Sequence, residues 1–116
     1  MSTTLFVLND PPYGTERCFN ALRLAAAVAK RGERVLVFLI GDAASCAVRG
    51  QKVPNGYYNL ERMLQAAIRH GAEIGVCGTC MDARGLTDEM LCEGCARGSL
   101  DRLTQWTLAC DRSLVF

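Results

Sequence analysis

Four short apolar segments of the chain have the length and composition of β-strands. They are residues 4–8, 34–40, 73–77 and 112–116. Residues 35–40 are all apolar, and several of them are β-branched. A run without polar alternation is typical of a strand that helices cover on both faces. We therefore expect residues 34–40 to lie centrally in a parallel sheet.

Two of the segments between these strands carry apolar residues at helical spacing. Residues 15–31 repeat apolar side chains every three or four positions and precede Gly32. Residues 57–70 do the same and precede Gly71, with an apolar face formed by Leu60, Met63, Leu64, Ala67 and Ile68. This periodicity predicts two amphipathic helices, each with a glycine as its stop signal.

The C-terminal third of the chain is predicted to hold one more long helix. Ser99 is a favourable N-cap residue. The side chains expected on one face of this helix are Leu100, Leu103, Trp106, Thr107 and Cys110. Shorter helical turns are expected over residues 43–48 and 78–85. Residues 86–98 show no clear period, and we interpret them as a functional loop that holds a helical turn.

Strands that alternate with helices in this way predict right-handed crossovers and a parallel sheet. The chain has 116 residues, a length typical of one domain. We expect a single α/β domain over residues 1–116, built as a three-layer α/β/α sandwich around a four- or five-stranded parallel sheet. Ligands of such sheets bind beyond the carboxyl ends of the strands.

Charge and hydropathy exclude two classes of partner. Thirteen Lys and Arg residues oppose twelve Asp and Glu residues, and the basic residues are scattered. Nothing in this pattern predicts a nucleic-acid partner. The longest strongly apolar run is six residues, against about 20 for a membrane-spanning helix. The N-terminus also lacks the pattern of a signal peptide, so we expect a cytoplasmic protein with no membrane partner.

Three segments follow predicted strand ends and should meet in the ligand crevice. They are residues 9–16, 41–42 and 77–84. The turn of residues 13–16 at a helix start could bind an anion or shape a pocket, and ordinary turn and cap chemistry explains it as well. The candidate supporting residues of the crevice are Asn9, Asp10, Tyr13, Gly14, Thr15, Glu16, Gly78, Thr79 and Arg84.

Cys77 and Cys80 are the candidate reactive residues. Cys77 ends a predicted strand, so the amides of the following helical turn should stabilise its thiolate and lower its pKa. Arg84 would add positive charge if the turn folds back. The alternative is that Cys77 is a buried, inert packing residue. The pair also resembles a dithiol redox motif, but all three prolines lie upstream of it, which argues against a thioredoxin fold.

The seven cysteines also allow a metal site. Cys77, Cys80, Cys92 and Cys95 form two Cys-x-x-Cys pairs separated by eleven residues. Four thiolates from two such pairs suit tetrahedral zinc. The spacer is shorter than usual for such sites, and one pair ends a predicted core strand. Cys18, Cys46 and Cys110 are predicted to be packing residues.

Several segments, taken in order, resemble the DsrE/YchN-like family of small sulfur-relay and related proteins. They are residues 9–17, the Phe-Leu-Ile-Gly-Asp stretch at 38–42, residues 56–64, the Cys-Gly-Thr-Cys-Met-Asp-Ala-Arg-Gly stretch at 77–85, and the Trp-Thr pair at 106–107. The resemblance implies one α/β domain of flavodoxin-like appearance that assembles as a homotrimer or homohexamer.

The resemblance also implies a role for each cysteine pair. Counting back from the Arg-Gly pair at 84–85 puts Cys77 in the place of the cysteine that carries persulfide in sulfur-relay relatives. Cys80 belongs to a Cys-Gly-Thr-Cys subgroup, and Cys92 and Cys95 look peculiar to this chain.

We therefore expect a cytoplasmic sulfur carrier that needs no cofactor. Cys77 would hold sulfane sulfur and Cys80 would assist, in exchange with sulfur donor and acceptor proteins or small thiols. Any enzymatic activity would be that of a sulfurtransferase. The alternative is a non-catalytic, oligomeric binding module in which Cys77, Cys80, Cys92 and Cys95 hold a structural zinc ion.

Overall fold

Five parallel strands form the centre of the molecule, in the order β4-β3-β2-β1-β5. The computed structural model describes residues 1–116. The strands are β1 (Thr3–Leu8), β2 (Arg34–Leu39), β3 (Glu73–Cys77), β4 (Cys95–Gly98) and β5 (Arg112–Val115). Each neighbouring pair is parallel. The predicted parallel sheet is confirmed, and β2 occupies its middle.

The helices begin and end close to the predicted positions. They are α1 (Arg17–Lys30), α2 (Leu60–Arg69), α3 (Gly78–Ala83) and α4 (Leu100–Ala109), with 3₁₀ turns at Gly41–Ala47 and Asp88–Met90. Helix α2 starts three residues later than predicted because the Asn59 side chain caps it by accepting a hydrogen bond from the Arg62 N–H at 3.0 Å. None of these helices combines the length and the apolar composition needed to span a bilayer.

The prediction for residues 86–98 is wrong in one respect. The expected helical turn is there, as the 3₁₀ turn Asp88–Met90, but the segment ends in strand β4. This strand has no apolar pattern because it lies at the sheet edge, where Ala96 and Arg97 are exposed. A strand with little to bury gives no hydrophobic signal in the sequence.

The two faces of the sheet carry very different cores. Helices α1 and α2 cover one face and build a core cluster of 22 buried residues. On the other face, α4 covers only Leu5, Leu36 and Phe38, and Trp106 is its single buried residue. The predicted apolar face of α4 is therefore incompletely covered: Leu103 and Cys110 are partly buried against this cluster, whereas Leu100 is 76% exposed. The three-layer arrangement is confirmed, with one thick and one thin helical layer.

Candidate functional site

Cys77 lies where the sheet, α3 and α4 meet. It is the last residue of β3 and the N-cap of α3. Strand alternation directs it to the α4 face, because Gly75, two residues earlier, pairs with Phe38 of the α4-side cluster. Its side chain is partly exposed. The alternative of a sealed packing residue therefore does not describe Cys77.

A cavity of about 550 Å³ opens beside this thiol, and we call it the Cys77 cavity. Its walls come from β2, the β3–α3 junction, β4 and the first turn of α4. The lining residues are Phe38, Ile40, Cys77, Gly78, Thr79, Cys80, Asp82, Arg97, Gly98, Ser99, Leu100 and Leu103. Half of them are hydrophobic, so the cavity combines apolar walls with a reactive thiol.

Local hydrogen bonds favour the thiolate of Cys77. Burial raises the pKa of the Cys77 thiol, but hydrogen bonds from the side chains and backbone N–H groups of Thr79 and Cys80 outweigh burial and lower this pKa overall. The Thr79 hydroxyl lies 3.3 Å from Cys77 Sγ. The structure thus agrees with the expected lowering of the Cys77 pKa. It adds the Thr79 hydroxyl to the backbone amides that were expected to stabilise the thiolate.

The pKa of the Cys80 thiol is shifted in the opposite direction, upward. Burial raises the pKa of its thiol, and its hydrogen bond to Cys77 raises it further. The Gly41 N–H donates to Cys80 Sγ at 3.2 Å, which only partly offsets these effects. The pair therefore favours a thiolate at Cys77 and a protonated, hydrogen-bond-donating thiol at Cys80. This asymmetry suits a nucleophile with a second thiol in reserve.

Replacing Thr79 by valine should raise the pKa of Cys77 because the substitution removes the hydroxyl and keeps the side-chain shape. The pH at which Cys77 reaches half its maximal alkylation rate by iodoacetamide should then move upward, and the rate near neutral pH should fall. Fragment spectra of the tryptic peptide 70–84, which contains Cys77 and Cys80 and no other cysteine, follow the reaction.

The matched control is Thr107→Val, because the Thr107 hydroxyl donates to the Leu103 carbonyl at 2.7 Å within α4. This control should leave the Cys77 profile unchanged. An identical profile in Thr79→Val and the wild type would show that the hydroxyl does not stabilise the thiolate.

Sequence reasoning missed Arg97 and Gly98. The Arg97 guanidinium donates to the Gly78 carbonyl at 3.1 Å, to Asp82 at 3.0 Å and to Asp88 at 2.8 Å. Gly98 pairs with Cys77 in the β3–β4 register. Both residues help to wall the cavity. No sequence signal could find them, since their position depends on a strand that the sequence does not reveal.

Arg84 lies beside the pair but does not line the cavity. Its guanidinium forms an ion pair with Asp42 at 2.8 Å and donates to the Cys80 carbonyl at 3.0 Å. Its charge lowers the pKa of Cys80, as a smaller effect than burial. The turn therefore folds back as expected, and Arg84 acts next to Cys80.

The predicted supporting residues of the β1–α1 loop do not reach the Cys77 cavity. None of Asn9, Asp10, Tyr13, Gly14, Thr15 and Glu16 lines it. The Thr15 hydroxyl donates to Asp10 at 2.7 Å, and the Tyr13 hydroxyl accepts from the Leu60 N–H at 3.1 Å. These contacts are turn and cap interactions on the α2 side of the sheet. The expected convergence fails because Cys77 faces α4, whereas this loop turns towards α2.

The four paired cysteines are not gathered into one cluster. Cys95 pairs in register with Ile74 of the larger core and packs against that core, whereas Cys77 packs against the α4-side cluster. No group of three or more His, Cys, Asp or Glu side chains is placed to hold a metal ion. Cys80 packs against the same larger core as Cys95, so Cys77 is the member of the four that packs on the α4 side.

The remaining cysteines lie away from the cavity. Cys18 and Cys46 are fully buried, and both thiols point to the Asp10 carbonyl, at 3.1 and 3.8 Å. The Cys110 thiol donates to the Thr107 carbonyl at 3.3 Å. Cys18 and Cys46 belong to the larger core, and Cys110 packs against the α4-side cluster.

Known proteins resemble this chain along its whole length. A model of the DsrE/DsrF-like family matches residues 3–116. Protein YchN of Escherichia coli K12 is 38% identical over 118 residues, covering all of both chains. Its crystal structure superposes with a TM-score of 0.94, again over all of both chains.

Two archaeal proteins extend the comparison. An uncharacterized protein of Methanopyrus kandleri is 36% identical over 95% of this chain and 90% of its own length. A protein of unknown function from Methanobacterium thermoautotrophicum shares the fold over all of both chains, with a TM-score of 0.74 at 14% identity.

Proposed function

Since the chain belongs to the DsrE/DsrF-like family, we propose that it carries sulfane sulfur as a persulfide on Cys77. Membership of this family is consistent with a role in sulfur relay. The observation that carries the proposal is a partly exposed thiol beside a cavity, with the Thr79 hydroxyl 3.3 Å from its Sγ and a second cysteine, Cys80, in the helix that follows and in the lining of the same cavity. Thiolates, not thiols, are the nucleophiles in sulfur exchange.

Loading begins with attack on a donor persulfide. The Cys77 thiolate forms a bond to the outer sulfur of the donor, the S–S bond of the donor breaks, and the donor thiolate leaves and takes up a proton. In unloading, Cys77 takes the role of the donor. An acceptor thiolate attacks the outer sulfur on Cys77, the S–S bond breaks, and the Cys77 thiolate leaves. No net oxidation occurs in either step.

Cys80 supplies a second way to unload the sulfur. Its thiolate attacks Sγ of the Cys77 persulfide, hydrosulfide leaves, and a Cys77–Cys80 disulfide remains. A dithiol reductant must then return two electrons to restore the pair. The raised pKa of Cys80 makes this release slow near neutral pH, which favours retention of the sulfur until an acceptor arrives.

Donor and acceptor proteins or small thiols are the proposed partners. The Cys77 cavity, at about 550 Å³, has room for a small thiol or for one side chain of a partner. A homotrimer or homohexamer is part of the same proposal. The apolar side chains that α4 and β5 leave in solvent, among them Leu100, Leu108 and Val115, support self-association.

Mass spectrometry after incubation with a persulfide donor tests the sulfur-carrier proposal. The wild-type peptide 70–84 should gain the mass of one sulfur atom, and Cys77→Ser should lose this gain almost completely. Cys80→Ser should still load but should release no hydrosulfide by disulfide formation. Cys110→Ser is the matched control and should load like the wild type. Loading of Cys77→Ser at the wild-type level would remove Cys77 from the proposed role.

A further inference from the structure

A second pair of thiols lies away from the Cys77 cavity. Sγ of Cys92 and Sγ of Cys95 are 3.5 Å apart. Cys92 is only 3% exposed, whereas Cys95 is partly exposed. Cys95 packs against the larger core, on the sheet face opposite Cys77. The sulfur transfer proposed above therefore makes no use of this pair.

The backbone holds these two sulfurs together. The Cys95 N–H donates to the Cys92 carbonyl at 3.1 Å, and Gly94 between them adopts φ of +90°, which favours glycine. The Cys92 N–H donates to the Ala47 carbonyl at 2.7 Å, and Cys95 is the first residue of β4. Since the sulfurs are 3.5 Å apart, a small approach brings them to the length of a disulfide bond, about 2.05 Å.

A cavity of about 490 Å³ opens beside the turn that joins the two cysteines. It is lined by Gln65, Ile68, Arg69, Glu93 and Gly94, so the two residues between the cysteines border it and neither thiol does. Arg69 and Glu93 offer one charge of each sign. A small peptide that carries both ammonium and carboxylate groups matches this lining. Glutathione disulfide belongs to that chemical class.

We propose that Cys92 and Cys95 are a second redox-active dithiol, which forms an intrachain disulfide in exchange with a small peptide disulfide. Cys95 is the sulfur that meets the reagent, because Cys92 is buried. Cys92 is the resolving sulfur, because it already touches Cys95. The hydrogen bond between the two thiols lowers the pKa of Cys92 and raises the pKa of Cys95, so the resting pair favours the thiolate at Cys92. Since either sulfur can be the donor of this hydrogen bond, Cys92 takes the proton of Cys95 and leaves the thiolate on Cys95 when the reagent arrives.

The exchange balances in two steps. The Cys95 thiolate attacks one sulfur of the reagent, the S–S bond of the reagent breaks, and the departing thiolate takes the proton from Cys92. The Cys92 thiolate then attacks Cys95 Sγ of the mixed disulfide, and a second thiolate leaves and takes a proton from water. The dithiol loses two electrons, and the reagent becomes two thiols.

The sequence makes the experiment simple to interpret, because the tryptic peptide 85–97 contains Cys92 and Cys95 and no other cysteine. The Cys77→Ser/Cys80→Ser double variant is incubated with excess glutathione disulfide, quenched with acid and alkylated before digestion. Peptide 85–97 should become lighter by two hydrogens and should lose its alkylation. Since this variant lacks the proposed sulfur carrier, failure of the sulfur-carrier proposal would not affect the result.

Two single variants of the pair test the division of roles. Cys92→Ala should accumulate the mixed disulfide on Cys95, since no resolving thiol remains. Cys95→Ala should leave Cys92 unmodified for as long as the protein stays folded. The proposal is overturned if peptide 85–97 stays a dithiol in excess reagent, or if Cys92 rather than Cys95 collects the mixed disulfide.

Discussion

Replacing Trp106 by alanine should lower the free energy of unfolding by about 3–5 kcal/mol, the usual cost of removing a large buried aromatic side chain. Trp106 is the single buried residue of α4. Its ring meets the Phe38 ring edge-on, with the centroids 6.1 Å apart. A Cβ at Gly75 would lie 3.3 Å from the Trp106 ring, so the strand leaves space for it. The substitution therefore removes the main attachment of α4 to the sheet.

Leu108→Ala is the matched control in the same helix, because the Leu108 side chain is 82% exposed. Its effect should stay within about 0.5 kcal/mol. Urea unfolding of both variants, followed by circular dichroism, measures the difference. Equal stability of Trp106→Ala and Leu108→Ala would show that contacts other than Trp106 attach α4.

The thick half of the molecule could be predicted from sequence because its elements bury much apolar surface. Strand β2 is an unbroken apolar run, and α2 carries a clear helical stripe, so both were predicted with the right type and place. The edge strand β4 could not be predicted in the same way. Strand β4 is held by backbone pairing to β3 and by the contacts of Arg97, and neither leaves a hydrophobic pattern.

In the site, too, the positions of residues along the chain could be predicted, but the directions of their side chains could not. The sequence predicts where Cys77 and Cys80 lie along the chain, because a strand end followed by a helical turn can be recognised in it. Which face Cys77 occupies depends on the strand register, and one residue of shift would reverse it. The β1–α1 loop therefore looked like part of the site, although it packs on the other side of the sheet.

Replacing Phe38 by alanine should also cost about 3–5 kcal/mol of unfolding free energy, because a buried aromatic ring is lost from the central strand. Phe38 is 1% exposed. Its ring fills space left by two glycines, since a Cβ would lie 3.1 Å from the ring at Gly75 and 2.9 Å from it at Gly98. Neither glycine can fill the space that the substitution opens. Phe38→Leu keeps part of the apolar volume and should cost clearly less.

The Phe38 and Trp106 substitutions should not be additive, because the two rings contact each other. The double variant should be more stable than the sum of the single losses predicts, by about 0.5–1.5 kcal/mol. A urea-unfolding cycle of the wild type, both single variants and the double variant measures this difference. Strict additivity would mean that the ring contact itself adds nothing. Because Phe38 also lines the Cys77 cavity, any coupling would link the attachment of α4 to the wall of the proposed sulfur-binding site.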